Sequence, residues 1–512
     1  MWHPSVPLNG LSLRELLPDA DGWGERDARV TGCSTVATSC KPGDAFVVVD
    51  RVSATALQTA LDQGASAVVV RSALAGHEPE DAIDDSGTSD LSVPMFRVPD
   101  PQAALSRICQ ALVGRPSERL KVVGVTGAHG KTTTSCLLAS ILGVGGLPTG
   151  VMSSLAWFDG ERTTAAASPM LAPQAVAPWL ARMESNGCSH AVMEIVPDVL
   201  ESELLDSVQL DCLCLTGVQN NSWRFDTPAD VIESLEQQVH RHLPPHGMLA
   251  INADDAGCQE LLNRIQHPTL TIGIKNSAEI TAEIVEQTPY DQTFLLCAGN
   301  ETIPVRTRLI GTHNVYNSLA AAAISLGYGL DPIDIVRGLE RVEVISNRLQ
   351  RVDVGQPYNV FVDAANNSTA MEAALRALHQ AATGRVICVF GCDGGGDRFA
   401  RPLVGRIVEQ FSDLAIVTSA DPHDEHPEDI LDDISDGFRG PVKPWTIEDR
   451  SDAIRAALSL AQEGDSVLIA GRDAVILEEA ECGKSSYQDD REIARQILEE
   501  ITPRPAPFRA AA

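Results

Sequence analysis

The run Thr126-Gly127-Ala128-His129-Gly130-Lys131-Thr132-Thr133 holds the residue types that grip phosphate. Its two glycines allow a tight turn whose backbone N–H groups face an anion, and a helix starting where the turn ends adds its positive pole. In such a turn Lys131 would neutralise the outer phosphates, and the Thr132 hydroxyl would sit on Mg2+. The spacing departs from the strict G-x4-G-K-T form, because position 125 is valine. The flanks agree with a cradle. The β-branched run from Val122 to Val125 predicts a strand, and a helical pattern runs from Ser135 to Leu142. Strand, glycine turn and helix in that order predict nucleoside triphosphate binding.

Bulk properties narrow the partners. A chain of 512 residues has room for about three domains. With 44% hydrophobic and 21% charged residues it reads as an ordinary globular protein. A net charge of −31 argues against a nucleic acid or an anionic membrane as partner. No run approaches the ~18 apolar residues of a membrane span, and residues 1–19 lack the apolar core of a signal peptide. A cytoplasmic protein without membrane insertion is expected. The 12 cysteines are scattered without C-x-x-C spacing, which predicts free thiols. Cys212 and Cys214 alternate along a strand-like run and should both point into the core.

The chain divides into three expected parts. Residues 1–113 carry strand patterns at 45–49 and 67–70, a helix at 54–63 and an acidic loop at 78–90. Gly114-Arg115-Pro116-Ser117 reads as a linker. Residues 114–343 hold the phosphate turn and apolar strands at 191–195, 210–216 and 248–252, with helices at 314–325 and 334–339. Residues 344–512 begin a new α/β unit with strands at 360–363, 386–390, 415–418 and 466–470, and the tail from Pro503 is expected to fray. Such alternation predicts an α/β fold built on largely parallel, doubly wound sheets.

At this point the chain resembles the Mur ligase family, and within it the UDP-N-acetylmuramoyl-tripeptide synthetase branch. The likeness runs along nearly the whole sequence. The Thr126–Thr132 loop resembles the family's Thr-Gly-Thr-Asn-Gly-Lys-Thr, and Met193-Glu194 the start of its Met-Glu-Val-Ser-Ser-His. Asn252-Ala253-Asp254-Asp255 repeats an Asn-Ala-Asp-Asp motif, and Gly311 to Asn317 resembles the adenine-side helix Gly-x-x-Asn-x-x-Asn. Asn347-Arg348, Val362-Asp363-Ala364-Ala365, and Phe390-Gly391-Cys392 with Gly395-Gly396-Asp397-Arg398 follow in the family's order. Asp449-Arg450 and Asp489-Asp490-Arg491-Glu492 also fit this branch.

The resemblance implies a three-domain architecture with a central P-loop parallel sheet and a C-terminal Rossmann-like domain. It also implies a reaction. A substrate carboxylate, on a UDP-sugar peptide or analogue, attacks the γ-phosphate of ATP, and an amino acid's amine then displaces phosphate from the acyl phosphate. Such phosphoryl transfer needs charge neutralisation and positioning more than covalent catalysis. By the resemblance, Lys131 bears on the phosphates, Thr132 and Glu194 on Mg2+, Asn314 and Asn317 on adenine, Asp363 on the ribose and Arg348 on the phosphates. Each has a plainer alternative: Glu194 a solvated carboxylate, Asn314 a helix N-cap, Asp363 a turn residue, Arg348 a surface ion pair.

Departures gather on the substrate side. The family's uridine-contacting Asp-Ser-Arg is Val36-Ala37-Thr38 here, and the Ser-Ser-His after the metal glutamate is Val196-Pro197-Asp198. The second metal of the family uses a histidine, which aligns near Ser222, and a carbamylated lysine. No lysine lies between Lys131 and Lys275, so Glu236, near the expected place, would be the substitute ligand. Asp-Asn-Pro-Arg, the diaminopimelate signature, has become Ala420-Asp421-Pro422-His423, and Gly-Lys-Gly-His-Glu has become Gly471-Arg472-Asp473-Ala474-Val475. Losing that arginine removes a bidentate carboxylate clamp. An amide ligase is the first reading. A nucleotide-binding paralogue that scaffolds or regulates envelope synthesis is the second, and a simple P-loop kinase leaves the outer domains unexplained.

Overall fold

The computed structural model describes residues 10–23, 27–72, 92–166, 171–218, 227–441, 443–472 and 489–502. The acidic stretch 78–90, Ser222, residues 473–475 and the tail from Pro503 lie outside them. The chain forms two compact units, one of residues 1–279 with 320–331, the other of residues 280–319 with 332–512.

Besides an antiparallel pair of Leu11–Ser12 with Arg29–Val30, the first unit holds two larger sheets. Strands β1 (Asp21–Trp23), β2 (Gly32–Ser34), β3 (Asp44–Val47), β4 (Ala67–Arg71) and β5 (Met95–Val98) lie in the order β1-β5-β4-β3-β2, parallel except at β1. Period-2 alternation splits their side chains between two cores. Ala45 and Val47 face one with Ala67 and Val69, while Phe46 and Val48 face the other with Val68 and Val70. Helix α1 (Ala54–Asp62) is capped by Ser53, and α2 (Pro101–Leu112) by Asp100, whose carboxylate accepts from the Gln102 and Ala103 amides.

The second sheet of this unit carries the phosphate turn. Its strands are β6 (Lys121–Thr126), β7 (Thr149–Met152), β8 (Trp157–Phe158), β9 (Thr163–Thr164), β10 (His190–Glu194), β11 (Cys212–Leu215), β12 (Met248–Asn252) and β13 (Thr269–Gly273). They lie in the order β9-β8-β7-β10-β6-β11-β12-β13, parallel apart from β8 and β9 at the edge. Val122, Val123 and Val125 are fully buried, as a central strand covered on both faces requires. Cys212 and Cys214 are core thiols. Between strands run α3 (Lys131–Val144), α4 (Pro173–Ser185), α5 (Pro197–Glu201), α6 (Pro228–His242) and α7 (Ala256–Leu262). The expected strand at 210–216 is shorter, because Leu210 and Asp211 lead in before the ladder begins.

In the second unit, β14 (Ile280–Gln287), β15 (Gln292–Ala298) and β16 (Glu301–Thr307) form an antiparallel meander. Helix α8 (Thr312–Gly327) passes from this unit into the first after Leu319. Helix α9 (Pro332–Arg341) follows, and then β17 (Gln350–Arg351), β18 (Asn359–Val362), α10 (Ser368–Ala381), β19 (Val386–Phe390), α11 (Arg401–Phe411), β20 (Leu414–Val417), α12 (Pro427–Ser435), β21 (Trp445–Thr446), α13 (Arg450–Leu460), β22 (Ser466–Ile469) and α14 (Asp490–Ile501). The sheet order β17-β18-β22-β19-β20-β21 is parallel beyond β17. Val360 and Val362 enter one core while Phe361 enters the other. The α/β fold with parallel sheets is as expected; the antiparallel pieces are additions to it. Among the described residues no helix is long and apolar enough to cross a membrane.

Candidate active site

The turn between β6 and α3 is forced by two glycines. Gly127 has φ +127°, and a Cβ there would come within 2.5 Å of Thr216 Oγ1 and 2.8 Å of the Gly217 carbonyl oxygen. Gly130, at φ +81°, starts α3 from the left-handed region. Thr216 braces the turn: its hydroxyl donates to the carbonyls of Thr126 and His129. The Ala128 N–H donates to Gly217 O at 3.1 Å. Nothing in the sequence marks Thr216, which reads there as the end of a strand.

Lys131 stands at the mouth of this turn, its Nζ donating to Gly127 O at 2.9 Å and Ala128 O at 3.3 Å. The ammonium and the amino end of α3 together favour an anion. His129 is held below the usual imidazole range, first by burial and then by the charge of Lys131. The turn therefore gains no second full charge near neutrality.

Thr132 and Glu194 are brought together. Thr132 Oγ1 donates to Glu194 Oε1 at 2.9 Å, and the Ser154 N–H and hydroxyl reach Glu194 Oε2 at 2.8 and 3.1 Å. Glu194 is only 3% exposed at the end of β10, so it is not a solvated carboxylate. Among the described residues its bonded partners are hydroxyls and one amide, with no Lys or Arg. A buried carboxylate held this way suits a cation. No group of three or more His, Cys, Asp or Glu side chains is placed to hold a metal ion among the described residues. A divalent ion at Glu194 would thus complete its shell from Thr132, water and phosphate oxygens, the usual habit of Mg2+. Glu236, on α6, lies instead beside Arg264 at 3.9 Å.

The second unit holds the remaining candidates. Asn314 is the third residue of α8 and not its N-cap; the helix begins at Thr312. Its amide donates to Ile310 O at 2.8 Å, and its Oδ1 accepts from Asn317 at 3.1 Å, so the two buried asparagines form the expected one-face pair. The buried Gln292 fixes the turn before them by bonding Leu309 O and both polar atoms of the Gly311 backbone. Arg348 sits between two left-handed residues, Asn347 (φ 55°) and Leu349 (φ 42°). Asp363 holds that strained turn, accepting from Leu349 N–H at 2.6 Å and Ala365 N–H at 2.8 Å. Its turn role is realised in the structure.

Where the diaminopimelate signature stood, His423 lies in an exposed left-handed turn, its Nδ1 4.0 Å from Asp421. Arg472 Nη2 points to Ala420 O at 2.9 Å. Arg401, almost fully buried, grips Glu425 and Asp433, and with the Gly395 N–H it holds the Glu425 carboxyl down at about 2. Arg450 binds Asp490 through two bonds of 2.8 and 2.6 Å, both side chains buried. Removing one partner of such a pair strands a buried charge. Arg450→Ala is therefore expected to destabilise the second unit by about 3–5 kcal/mol, read as a lower urea midpoint for that unit's transition.

A pH dependence follows from the first unit. Burial lowers His129, His190 and His242 below their ordinary value of 6.5. Folded, each takes a proton less readily than unfolded, so below pH 6.5 the unfolded chain binds more protons. The stability these neutral histidines contribute is complete above pH 6.5 and is expected to be lost progressively as pH falls below it. Thermal midpoints measured from pH 8 to pH 5 should drop on the acid side; a flat profile would contradict it.

Comparison with known proteins bears on the fold that carries these residues. The Mur ligase middle domain matches residues 125–325, and the Mur ligase glutamate ligase domain matches residues 347–472. The chain is 31% identical over 504 residues to UDP-N-acetylmuramoyl-L-alanyl-D-glutamate–2,6-diaminopimelate ligase of Chlorobium phaeobacteroides, covering 94% of each. It is 31% identical to the enzyme of that name from Trichormus variabilis, covering 96% of this chain and 99% of that protein. Among solved structures, a UDP-N-acetylmuramoyl-L-alanyl-D-glutamate–2,6-diaminopimelate ligase superposes with a TM-score of 0.64 at 23% identity, covering 96% and 99%. The MurF ligase of Thermotoga maritima in complex with ADP gives 0.62 at 16%, covering 91% and 98%.

Proposed function

The chain belongs to the Mur ligase family, and on that premise we propose that it joins an amino acid to the carboxylate of a UDP-N-acetylmuramoyl peptide at the expense of ATP, in peptidoglycan synthesis. The observation that carries the reading is the Thr132–Glu194–Ser154 cluster beside the Lys131 turn. Lys131 leaves the loop carbonyls to neutralise the terminal phosphates, and Thr132 with Glu194 holds Mg2+. The bound ion would screen the γ-phosphate from the incoming carboxylate. Asn314 and Asn317 hold adenine, Arg348 reaches the phosphates, and Asp363 serves the ribose as well as its turn. Those roles would be filled in the cytoplasm, where ATP and UDP-linked precursors are found, and by a protein whose −31 charge disfavours nucleic acid.

We also propose the three-part division at 114 and 344, supported by the exposed Gly114 and Arg115; limited proteolysis should cut beside them. The Glu236–Arg264 pairing, in place of a carbamylated lysine, favours a single resident metal over two. Glu236→Gln should then leave the Mg2+ requirement unchanged. The decisive experiment is a mass-spectrometric screen for amide products, pairing UDP-muramoyl peptides with each amino acid. An amide formed with stoichiometric ADP supports the ligase. Tight ATP binding without product across the panel would instead favour the non-catalytic scaffold.

A further inference from the structure

Two thiols of the first unit lie outside everything above. Cys33, on β2, and Cys109, on α2, place their Sγ atoms 3.4 Å apart although 76 residues separate them in sequence. Cys33 is half-buried and Cys109 buried. Van der Waals contact between two sulfurs leaves little distance to a bond of about 2.05 Å. We propose that Cys33 and Cys109 are a redox modification site, joined as an intramolecular disulfide by a low-molecular-weight disulfide oxidant.

The order of attack follows from burial. The Cys33 thiol beside it, and then its own burial, push the Cys109 thiol up, so Cys109 is the poorer nucleophile. Cys33, the partner open to solvent, loses its proton and attacks one sulfur of the oxidant, expelling one thiolate. Cys109 then loses its proton and displaces the second thiolate from the mixed disulfide on Cys33. Two protein thiols are oxidised to one cystine, and the oxidant is reduced to two thiols that take up the two protons. Cys212 and Cys214 have no such route, being fully buried in β11. Cys40 is also buried, and it is the competing partner because the charge of Cys33 reaches it.

The bond would tie β2 to α2 at a functional edge. Ser34, next to Cys33, fixes Val36 through bonds to its N–H and carbonyl. The Thr35 hydroxyl accepts from Gln174 of α4, and Ser106 of α2 accepts from the Ser207 amide. Oxidation would therefore pin the stretch at 34–38 against a helix already anchored to the nucleotide-binding sheet. The covalent step does not depend on the ligase reading, and failure of the amide screen leaves it standing.

The test exposes the full-length protein to oxidised glutathione and maps disulfides by non-reducing peptide mass spectrometry. The expected result is a Cys33–Cys109 cross-link, the loss of two titratable thiols, their return with dithiothreitol, and a thermal midpoint several degrees higher when oxidised. C40S should keep the link, whereas C109S should stop at glutathionylated Cys33. Wild-type protein that stops at glutathionylated Cys33, links Cys33 to Cys40, or stays fully reduced would overturn the proposal.

Discussion

Lys131→Met is expected to lower acceptor-dependent ADP release by about 10²–10³-fold or more, the usual cost of removing one preorganised charge from a phosphoryl-transfer site. The fold should survive. Lys131 donates to Gly127 O at 2.9 Å and to Ala128 O at 3.3 Å, and water can replace it at both carbonyls. The turn is held independently by Thr216 and by the Thr134 N–H to Gly130 O bond. Lys131→Arg should rescue little, because a planar fork replaces a compact ammonium in a tight glycine turn. Circular dichroism unchanged from wild type, together with lost turnover, is the predicted pair of readings. Turnover within a few-fold of wild type would remove Lys131 from the mechanism.

The site was readable where its chemistry is contiguous in sequence. The glycine turn, Lys131 and Thr132 lie within one stretch of chain, so type and spacing alone disclosed them. Glu194 needed the family frame, since one carboxylate at a strand end carries no signature. The residues that hold these groups were not readable. Ser154, Thr216 and Gln292 are ordinary polar side chains whose roles arise only when distant strands meet. Asn314 could pass for an N-cap until two further residues, Thr312 and His313, proved helical. The meander at 280–307 was not readable either: Gln292, Phe294 and Leu296 are buried in alternation, but Phe294-Leu295-Leu296-Cys297 is apolar on both faces and shows no period of two. Edge strands of two residues, such as β8 and β9, are too short for any period to register.

The same contrast bears on specificity. The arginine fork expected of a diaminopimelate site is a histidine at position 423, and of the described arginines close in sequence or contact, Arg472 bonds Ala420 O while Arg401 pairs with Glu425 and Asp433. Buried Arg401 and half-buried Arg472 tie together loops at the carboxyl ends of β19, β20 and β22. Substitutions at Asp421 and His423, on the exposed rim, should leave that network intact.

Glu194→Gln should separate activity from stability most cleanly. The carboxylate is buried without a cationic partner among the described residues, so the nucleotide-free protein bears a desolvation cost that the neutral amide removes. The glutamine oxygen can still accept from either Thr132 or Ser154. Thermal stability without nucleotide is thus expected to hold or rise, while turnover falls by about 10²–10³-fold because the proposed Mg2+ ligand is lost. Ser154→Ala gives the intermediate case. It deletes one of the two Ser154 donors to Oε2 and keeps the backbone N–H at 2.8 Å, so the Glu194 carboxyl is retained but less firmly aimed. Its mark should be a raised Mg2+ requirement with a loss of about tenfold at limiting metal, consistent with one hydrogen bond to a carboxylate, and recovery at high Mg2+. If Glu194→Gln destabilised the protein as strongly as it slowed turnover, Glu194 would be a structural carboxylate, and the metal would have to be sought elsewhere.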